Sequence, residues 1–106
     1  MYPHLLQHAY EIMDDNPNKA GDIAHGVLER KKIDLSTSIH CFHLIANKER
    51  YLGNYDRACY WMGRSEAALP DTSDDELAYN HFLELGQLES RFNQIERAEI
   101  AYRKAI

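Results

Sequence analysis

Paired histidines are the residues of this sequence whose spacing could support metal chemistry. His4 and His8 are four residues apart, and His40 and His43 are three apart, so each pair shares one face of a predicted helix. A zinc site needs a third and usually a fourth ligand, and the metalloprotease pattern of two histidines with a glutamate between them is absent. The sequence therefore favours surface histidines over a metal site, and we expect no cofactor.

Catalytic motifs are also missing from the sequence. It contains no nucleophile elbow, no phosphate-binding loop and no dinucleotide fingerprint. The acidic clusters at 14–15 and 74–76 fall at predicted helix ends and in loops, where carboxylates stay solvated rather than becoming perturbed acid or base groups. We therefore expect that the chain is not itself an enzyme.

Composition and charge limit which partners the chain is expected to bind and in which cellular compartment it is expected to lie. A net charge of −5 without a basic stripe argues against nucleic acid as a direct partner. No apolar run reaches the roughly 18 residues that a membrane helix needs, and no basic-then-apolar export signal begins the chain. Cys41 and Cys59 each lie in a largely apolar helical stretch, which favours buried, reduced thiols over a disulfide. We expect a cytoplasmic protein that contacts neither nucleic acid nor a membrane.

The stretch 39–70 shows the clearest pattern of secondary structure. Apolar residues recur at spacings of three, four and seven on both sides of a turn signal at 53–56. The turn is too short for anything but an antiparallel helical hairpin. Ser36 or Ser38 is placed to cap the first of these helices, and Pro70 lies just beyond the second.

Two further helix pairs flank this hairpin, so the chain is predicted to be all-α with six helices. The flanking helices are predicted at 3–14, 18–32, 75–91 and 94–106. Pro17 separates the first two because proline disfavours helix in the residue before it. Residues 93–94 mark a weak turn in the last pair, and Ser73 with Glu76 forms a capping box before its first helix.

The central hairpin resembles a tetratricopeptide repeat, a family with a period of about 34 residues. The matching positions hold large, small, glycine, aromatic and proline residues in the family's order: Phe42, Ile45, Ala46, Gly53, Tyr55, Ala58, Ser65 and Pro70. Glu49 and Glu66 stand where the family has tyrosine and an aliphatic residue. The key small residues Ala20, Ala58 and Ala98 are 38 and 40 residues apart, so longer loops are expected after 32 and 70.

The resemblance implies one domain, a right-handed tetratricopeptide-like superhelix of three helix-turn-helix hairpins, with repeats at about 1–35, 36–72 and 73–106. It also implies that the first helix of each repeat lines a concave groove that binds a protein or peptide. Carried onto this sequence, the groove positions are His40, His43, Asn47, Arg50, Tyr51, Asn80, Gln87 and Arg91. The family's clamp for a C-terminal carboxylate is not expected, because His43 and Glu84 replace its lysine and asparagine. Protonated His40 and His43 would strengthen binding of an anion near neutral pH.

The long loops support an alternative interpretation, since they resemble those of repeats in bacterial regulatory proteins. In this alternative the chain is an N-terminal sensor or dimerisation domain of a bacterial signalling protein, such as a transcription regulator or a diguanylate cyclase. The helical pattern runs to Ile106 without a cap, and each unit of a repeat array leaves an apolar face for the next. We therefore expect a fragment of a longer protein, or a homodimer through the last helix.

Overall fold

A computed structural model describes residues 2–30 and 32–106 of the chain. Within these ranges the fold is all-helical, as predicted, and contains no strand. The six α-helices are α1 (Tyr2–Ile12), α2 (Pro17–Leu28), α3 (Leu35–Tyr51), α4 (Tyr55–Ala68), α5 (Asp75–Arg91) and α6 (Ile95–Ala105). A short 3-10 helix, Leu69–Asp71, follows α4 and contains the predicted helix-stopping proline. No helix in the described ranges is long and apolar enough to cross a membrane.

The N-terminus of α3 is capped by Asp34, so the predicted serine caps are wrong. The Asp34 carboxylate accepts a hydrogen bond from the backbone N–H of Thr37 at 2.7 Å. Hydrogen bonding from the Thr37 side chain and then from its backbone lowers the pKa of Asp34 below its ordinary value, and a carboxylate also suits the positive end of the helix dipole. Ser36 and Ser38 both lie inside the helix, where the Ser38 hydroxyl donates back to the Asp34 carbonyl at 3.3 Å.

An aspartate likewise caps α5, and the capping box predicted there is also wrong. The Asp74 carboxylate accepts from the backbone N–H of Leu77 at 3.1 Å, so the cap lies one residue after Ser73. The largest difference in helix bounds concerns α2, which ends at Leu28 rather than at residue 32, and α1 ends at Ile12 rather than at residue 14. Residues 29–32, which the prediction included, therefore lie beyond the helix, except Lys31, which lies outside the described residues.

The turns between paired helices depend on two left-handed residues. Gly53 has a φ of +82° between α3 and α4, and Asn93 has a φ of 62° between α5 and α6. Glycine adopts this conformation without steric cost, and asparagine tolerates it better than most residues do. The turns predicted at 53–56 and 93–94 are therefore confirmed, with Asn93 in the role that Gly53 has in the central pair.

Each helix packs against its neighbour in sequence, and α3 lies at the centre of the molecule. Contacts join α1 to α2, α3 to α4 and α5 to α6, while α3 also contacts α1, α2 and α5. Ala20, Ala58 and Ala98 are all buried, so small side chains lie where the second helix of each pair approaches its neighbours. Between α5 and α6, a Cβ at Gly86 would collide with the Tyr102 ring, so only glycine permits this close approach.

The hydrophobic core consists of two clusters joined by Trp61. The first packs α1, α2 and α3 together and contains Leu6, Ala9, Met13, Ala20, Ala24, Val27, Cys41, Leu44 and Ile45. The second is smaller, joins α3, α4 and α5, and contains Ala46, Ala58, Met62 and Leu88. Partly buried Trp61 packs against both clusters. Polar side chains are buried on these helices too, and His43, Ser65 and His81 are described below.

Candidate functional site

The residues predicted to line a groove lie on α3 and α5, at different depths. His43 is only 2% exposed and Asn47 only 8%, so both side chains belong to the interior. The other six are partly buried or exposed: His40, Arg50, Tyr51, Asn80, Gln87 and Arg91. The predicted set is therefore not one continuous solvent-facing surface.

Three of these residues are held at one end of the face by contacts within the chain. The Arg50 guanidinium lies over the Tyr51 ring, 5.0 Å from its centre. The Tyr51 hydroxyl donates to the Asp14 carboxylate. Arg91 Nε donates to the backbone carbonyl of Arg50 at 3.2 Å. Arg50, Tyr51 and Arg91 thus join α3 to α5 and to the turn that follows α1.

Two adjoining pockets lie at the other end of the face, and together they are called the groove below. The larger pocket, about 610 Å³, lies between α1 and the start of α3 and is lined by Leu6, Gln7, Tyr10, Glu11, Asp34, Ser36, Thr37 and His40. The smaller pocket, about 250 Å³, lies between α1, α3 and α5 and is lined by Tyr10, His40, His43, Asn80, Leu83, Glu84 and Gln87. Tyr10 and His40 line both pockets, so these two side chains form the partition between them.

A hydrogen bond holds the partition together. The Tyr10 hydroxyl lies 3.0 Å from His40 Nδ1, and the two rings meet edge to face with their centres 6.0 Å apart. A tyrosine hydroxyl keeps its proton near pH 7, so the hydroxyl of Tyr10 donates to His40. Burial lowers the pKa of His40, although Asp74 and Asp34 oppose this effect. His40 is therefore neutral near pH 7, with Nδ1 accepting and its proton on Nε2.

Glu84, which lines the smaller pocket, is a partly buried carboxylate whose loss of hydration is only partly offset by its neighbours. Burial raises its pKa above the ordinary value, while a hydrogen bond from Asn47 and the charge of Arg50 act in the opposite direction. Its Oε2 atom is buried and has no hydrogen-bond partner, and the same holds for Nε of Arg50. Within the described residues Glu84 forms no ion pair. Because buried polar atoms are nearly always paired, Oε2 of Glu84 and Nε of Arg50 are two exceptions in the interior beside the smaller pocket.

Below the groove, a buried hydrogen-bonded network joins α3, α4 and α5. Ser65 Oγ lies 2.8 Å from His43 Nε2 and 2.9 Å from His81 Nδ1, and the two histidine nitrogens are 3.1 Å apart. On its far side, His81 Nε2 faces the Glu66 carboxylate at 3.4 Å. Ser65 and both histidines are at most 2% exposed.

The charge of Glu66 determines which atoms of this network donate a hydrogen bond and which accept one. An ionised Glu66 accepts from Nε2–H of His81, which leaves Nδ1 of that ring to accept from the Ser65 hydroxyl. Ser65 Oγ in turn accepts from Nε2–H of His43. Burial is the main cause that lowers the pKa of both histidines, so the network is satisfied with two neutral rings.

Glu66, His81 and Ser65 follow one another as the acid, histidine and serine of a hydrolytic triad do. Their arrangement nevertheless stabilises the packing of helices and does not form an active site. A catalytic serine must reach a substrate and be free to transfer its proton to the histidine. Ser65 is fully buried, and its oxygen already receives the N–H of His43. In this arrangement the network holds three helices together and does not present a nucleophile.

Sequence reasoning missed Tyr10, Ser65, Glu66, His81 and Glu84 as members of these sites. Two of them could have been noticed in the sequence, because Glu66 and Glu84 stand where the repeat family has an aliphatic residue and an asparagine. Each marks a place where a polar group has a partner on another helix. Tyr10 lay on the broad apolar face of the first predicted helix, which concealed its role at the groove.

The described part of the chain contains neither a group of residues that could hold a metal ion nor a disulfide. No three histidine, cysteine, aspartate or glutamate side chains among residues 2–30 and 32–106 come close enough to hold a metal ion. Cys41 is buried and Cys59 partly buried, and both are free thiols. Burial raises the pKa of Cys41 to about 12, so this thiol is unreactive near neutral pH.

Comparison with models of known protein families, with curated proteins and with solved structures finds no match to this chain. Functional inference therefore rests on the groove, the buried network and the exposed surfaces of the helices.

Proposed function

We propose that this chain is a binding module that holds a protein or peptide segment in the groove along α1, α3 and α5. The observation that carries this proposal is that two pockets meet at Tyr10 and His40 and form one elongated depression. Four of the residues predicted from the repeat resemblance line its smaller part: His40, His43, Asn80 and Gln87. We propose a cytoplasmic module without catalysis of its own.

A tetratricopeptide-like superhelix of three hairpins is the architecture that we propose for this module. Three features support it: helices pack as consecutive pairs, α3 contacts both α1 and α5, and the key alanines of the second helices are buried. In such an array the first helices line one surface, which is the surface that carries the groove. Solenoids of helical repeats commonly bind partners along a surface of this kind.

The shape of the groove, two pockets that meet at one partition, suits an extended segment. The larger pocket, about 610 Å³, lies within the range of about 300–1,000 Å³ for small-molecule sites, and the smaller, about 250 Å³, lies below it, so the elongated shape and not the volume supports a peptide. An extended chain directs every second side chain to the same side, roughly 7 Å apart. One segment can therefore place one side chain in each pocket while its backbone crosses the Tyr10–His40 partition.

Filling the larger pocket should abolish binding. Gln7 is exposed and lines this pocket, so Gln7→Trp places an indole across it without disturbing the core. We expect labelled, capped peptides that bind the wild type in fluorescence anisotropy to lose at least about tenfold in affinity for this variant. Gln94→Trp, the same change at an exposed position before α6, is the matched control and should bind normally. Equal binding by both variants would contradict the groove proposal.

A second candidate function is self-association through α6, in a sensor or dimerisation domain of a bacterial signalling protein. The observation in its favour is the apolar exposure of this helix and the residue after it: Ile95 is 64%, Ile100 54% and Ile106 104% exposed. Exposed apolar groups on one element are typical of an interaction surface.

Sedimentation equilibrium tests this second candidate. We expect a concentration-dependent dimer that Ile100→Lys abolishes, because a buried, unpaired ammonium costs several kcal/mol at an interface. Leu52→Lys introduces the same charge at an exposed leucine outside α6 and should leave the dimer intact. A monomer at the highest soluble concentration would rule out this candidate.

A further inference from the structure

The helix pair α5 and α6 is joined to the rest of the molecule by a small apolar contact. α6 packs mainly against α5, whereas α5 also contacts α3 and α4. The core cluster at this junction has four buried residues, to which α5 contributes Leu88, while the cluster that packs α1, α2 and α3 has nine. The junction therefore depends more on hydrogen bonds than the packing of the first three helices does.

Polar side chains supply these hydrogen bonds. Toward the end of α5, the Glu89 carboxylate accepts from the Tyr55 hydroxyl of α4. Toward its start, His81 Nδ1 lies 2.9 Å from Ser65 Oγ and 3.1 Å from His43 Nε2. The last three residues are at most 2% exposed, so water does not reach them to replace a hydrogen bond that is lost.

An added proton disrupts this buried network. In its neutral form, Nδ1 of His81 accepts from the Ser65 hydroxyl, and Ser65 Oγ accepts from Nε2–H of His43. A proton on Nδ1 of His81 turns this acceptor into a donor, so the Ser65 hydroxyl loses its acceptor. Burial lowers the pKa of His43, and positive charges on His81 and His40 would lower it further.

The carboxylates that face the network do not offset two added protons. Glu66 of α4 favours a positive charge on His81, but its side chain is 50% exposed, so solvent weakens this interaction. Glu84 of α5 lines the smaller pocket together with His43. Burial raises the pKa of Glu84, so in acid this group loses its negative charge more readily than a solvated glutamate does.

The remaining charged or titratable groups around the network come from α1, α3, α6 and the residues before α3 and α5: Tyr10, His40, Lys104, Asp34 and Asp74. Tyr10 is neutral in acid, Lys104 is positive, and the two aspartates act on His40 instead. Near pH 7, His40 and His43 are neutral, so they do not supply the positive charge that the sequence had suggested for binding an anion.

We propose that the network of His43, Ser65 and His81 is a pH-sensitive joint, at which α5 and α6 detach together from α3 and α4 in acid. Protonation of buried histidines is a known means of opening an interface. The contacts between α5 and α6, including the close approach of Gly86 to Tyr102, remain intact in the opened state. Local opening of such a unit requires less free energy than unfolding of the whole molecule.

Opening at this joint removes one wall of the smaller pocket. That wall consists of the α5 residues Asn80, Leu83, Glu84 and Gln87. A segment bound in the groove is therefore released in acid. This consequence rests on the proposed peptide-binding function, whereas the opening itself does not.

Amide hydrogen exchange, measured by NMR between pH 7 and pH 5, tests the proposal. Protection factors are compared, because they correct for the pH dependence of intrinsic exchange. At each pH we expect the most protected amides of α5 and α6 to be at least about tenfold less protected than those of α2. From pH 7 to pH 5 the protection of α5 and α6 should fall at least about tenfold, because each histidine exposed by opening contributes up to about tenfold per pH unit below its ordinary pKa.

Two kinds of variant separate local opening from global unfolding. Ile45→Val trims the core cluster of α1, α2 and α3, which stays packed when α5 and α6 detach. It should lower the protection of α2 by about two- to tenfold and leave that of α5 and α6 unchanged. The double variant His43→Gln with His81→Asn should remove most of the fall in acid, whereas His8→Gln, at an exposed position on α1, should retain it.

Equal protection of α2, α5 and α6 at every pH would show a single cooperative unit and overturn the proposal. A fall in acid that the double variant retains in full would overturn it too, as would an equal effect of Ile45→Val on all three helices. If the double variant does not fold, Ile45→Val and the pH series of the wild type still decide the matter. None of these measurements needs a peptide, so a failure of peptide binding at pH 7 is distinguishable from a failure of the joint.

Discussion

Acidification from about pH 7 to about pH 5 is expected to destabilise this fold by several kcal/mol. His43 and His81 are buried between α3, α4 and α5, and burial lowers the pKa of each below the ordinary value of 6.5. The unfolded chain therefore binds more protons than the native state below this pH. Stability is complete above pH 6.5 and falls as the pH decreases toward the native pKa values.

The size of this effect follows from the linkage between proton binding and unfolding. Each histidine that stays neutral in the native state costs about 1.4 kcal/mol per pH unit below its unfolded pKa, so the pair costs up to about 4 kcal/mol at pH 5. Partly buried His40 adds to the loss, because its pKa is also lowered. Glu84 acts in the opposite direction, since its pKa is raised and its native state holds a proton more readily than the unfolded chain does. Small domains are stable by about 5–15 kcal/mol, so the net loss is a large fraction of the total.

Urea unfolding at a series of pH values measures this dependence. The double variant His43→Gln with His81→Asn retains amide groups near Ser65 but cannot take up these two protons. We expect it to be less stable than the wild type at pH 7 and to show a much flatter slope between about pH 7 and pH 5. His8→Gln, at an exposed position on α1, should keep the slope of the wild type. A double variant with an unchanged slope would show that other groups cause the acid sensitivity.

Leu44→Ala is expected to destabilise the protein by about 2–5 kcal/mol. Leu44 has no exposed surface and lies in the core cluster that packs α1, α2 and α3. Truncation removes apolar contacts and leaves a cavity that this helical packing can only partly close. Because α3 contacts α1, α2, α4 and α5, a loss at its centre weakens the whole molecule.

Leu52 provides the matched control for this substitution. It follows the last residue of α3 and is 44% exposed, so Leu52→Ala should change stability by no more than about 0.5 kcal/mol. Both variants are compared with the wild type by urea unfolding near neutral pH, where the buried histidines stay neutral. Equal effects of the two substitutions would contradict the placement of Leu44 at the centre of the core.

Local sequence patterns were sufficient to predict the helices and their turns. Apolar periodicity predicted a helix at 75–91, and α5 is Asp75–Arg91. The turns at Gly53 and Asn93 followed from the backbone freedom of these residues. The helix N-caps were harder to predict, because Asp34 and Asp74 lie close to serines whose side chains are equally good hydrogen-bond acceptors in isolation. The choice between them depends on where the incoming chain bends, which single-residue preferences do not determine.

The groove and the buried network depend on pairings that local patterns do not encode. His43 meets Ser65 and His81 across sequence separations of 22 and 38 residues. The repeat resemblance assigned His43 to an open groove position of α3, whereas α4 and α5 enclose it with hydrogen-bonding partners. Tyr10 reaches His40 across 30 residues, and the groove positions that the resemblance implied lie only on the second and third helix pairs, so they did not include Tyr10.

The peptide-binding groove can be tested most directly by mapping amide chemical shifts of the isotope-labelled protein during titration with a capped peptide that binds in the anisotropy assay. The proposed function predicts that the largest changes occur at the groove, including the amides of Tyr10, Thr37 and Glu84. The amides of α6, such as that of Ile100, should remain unchanged. Largest changes on α6, or no change at peptide excess, would contradict binding in the groove.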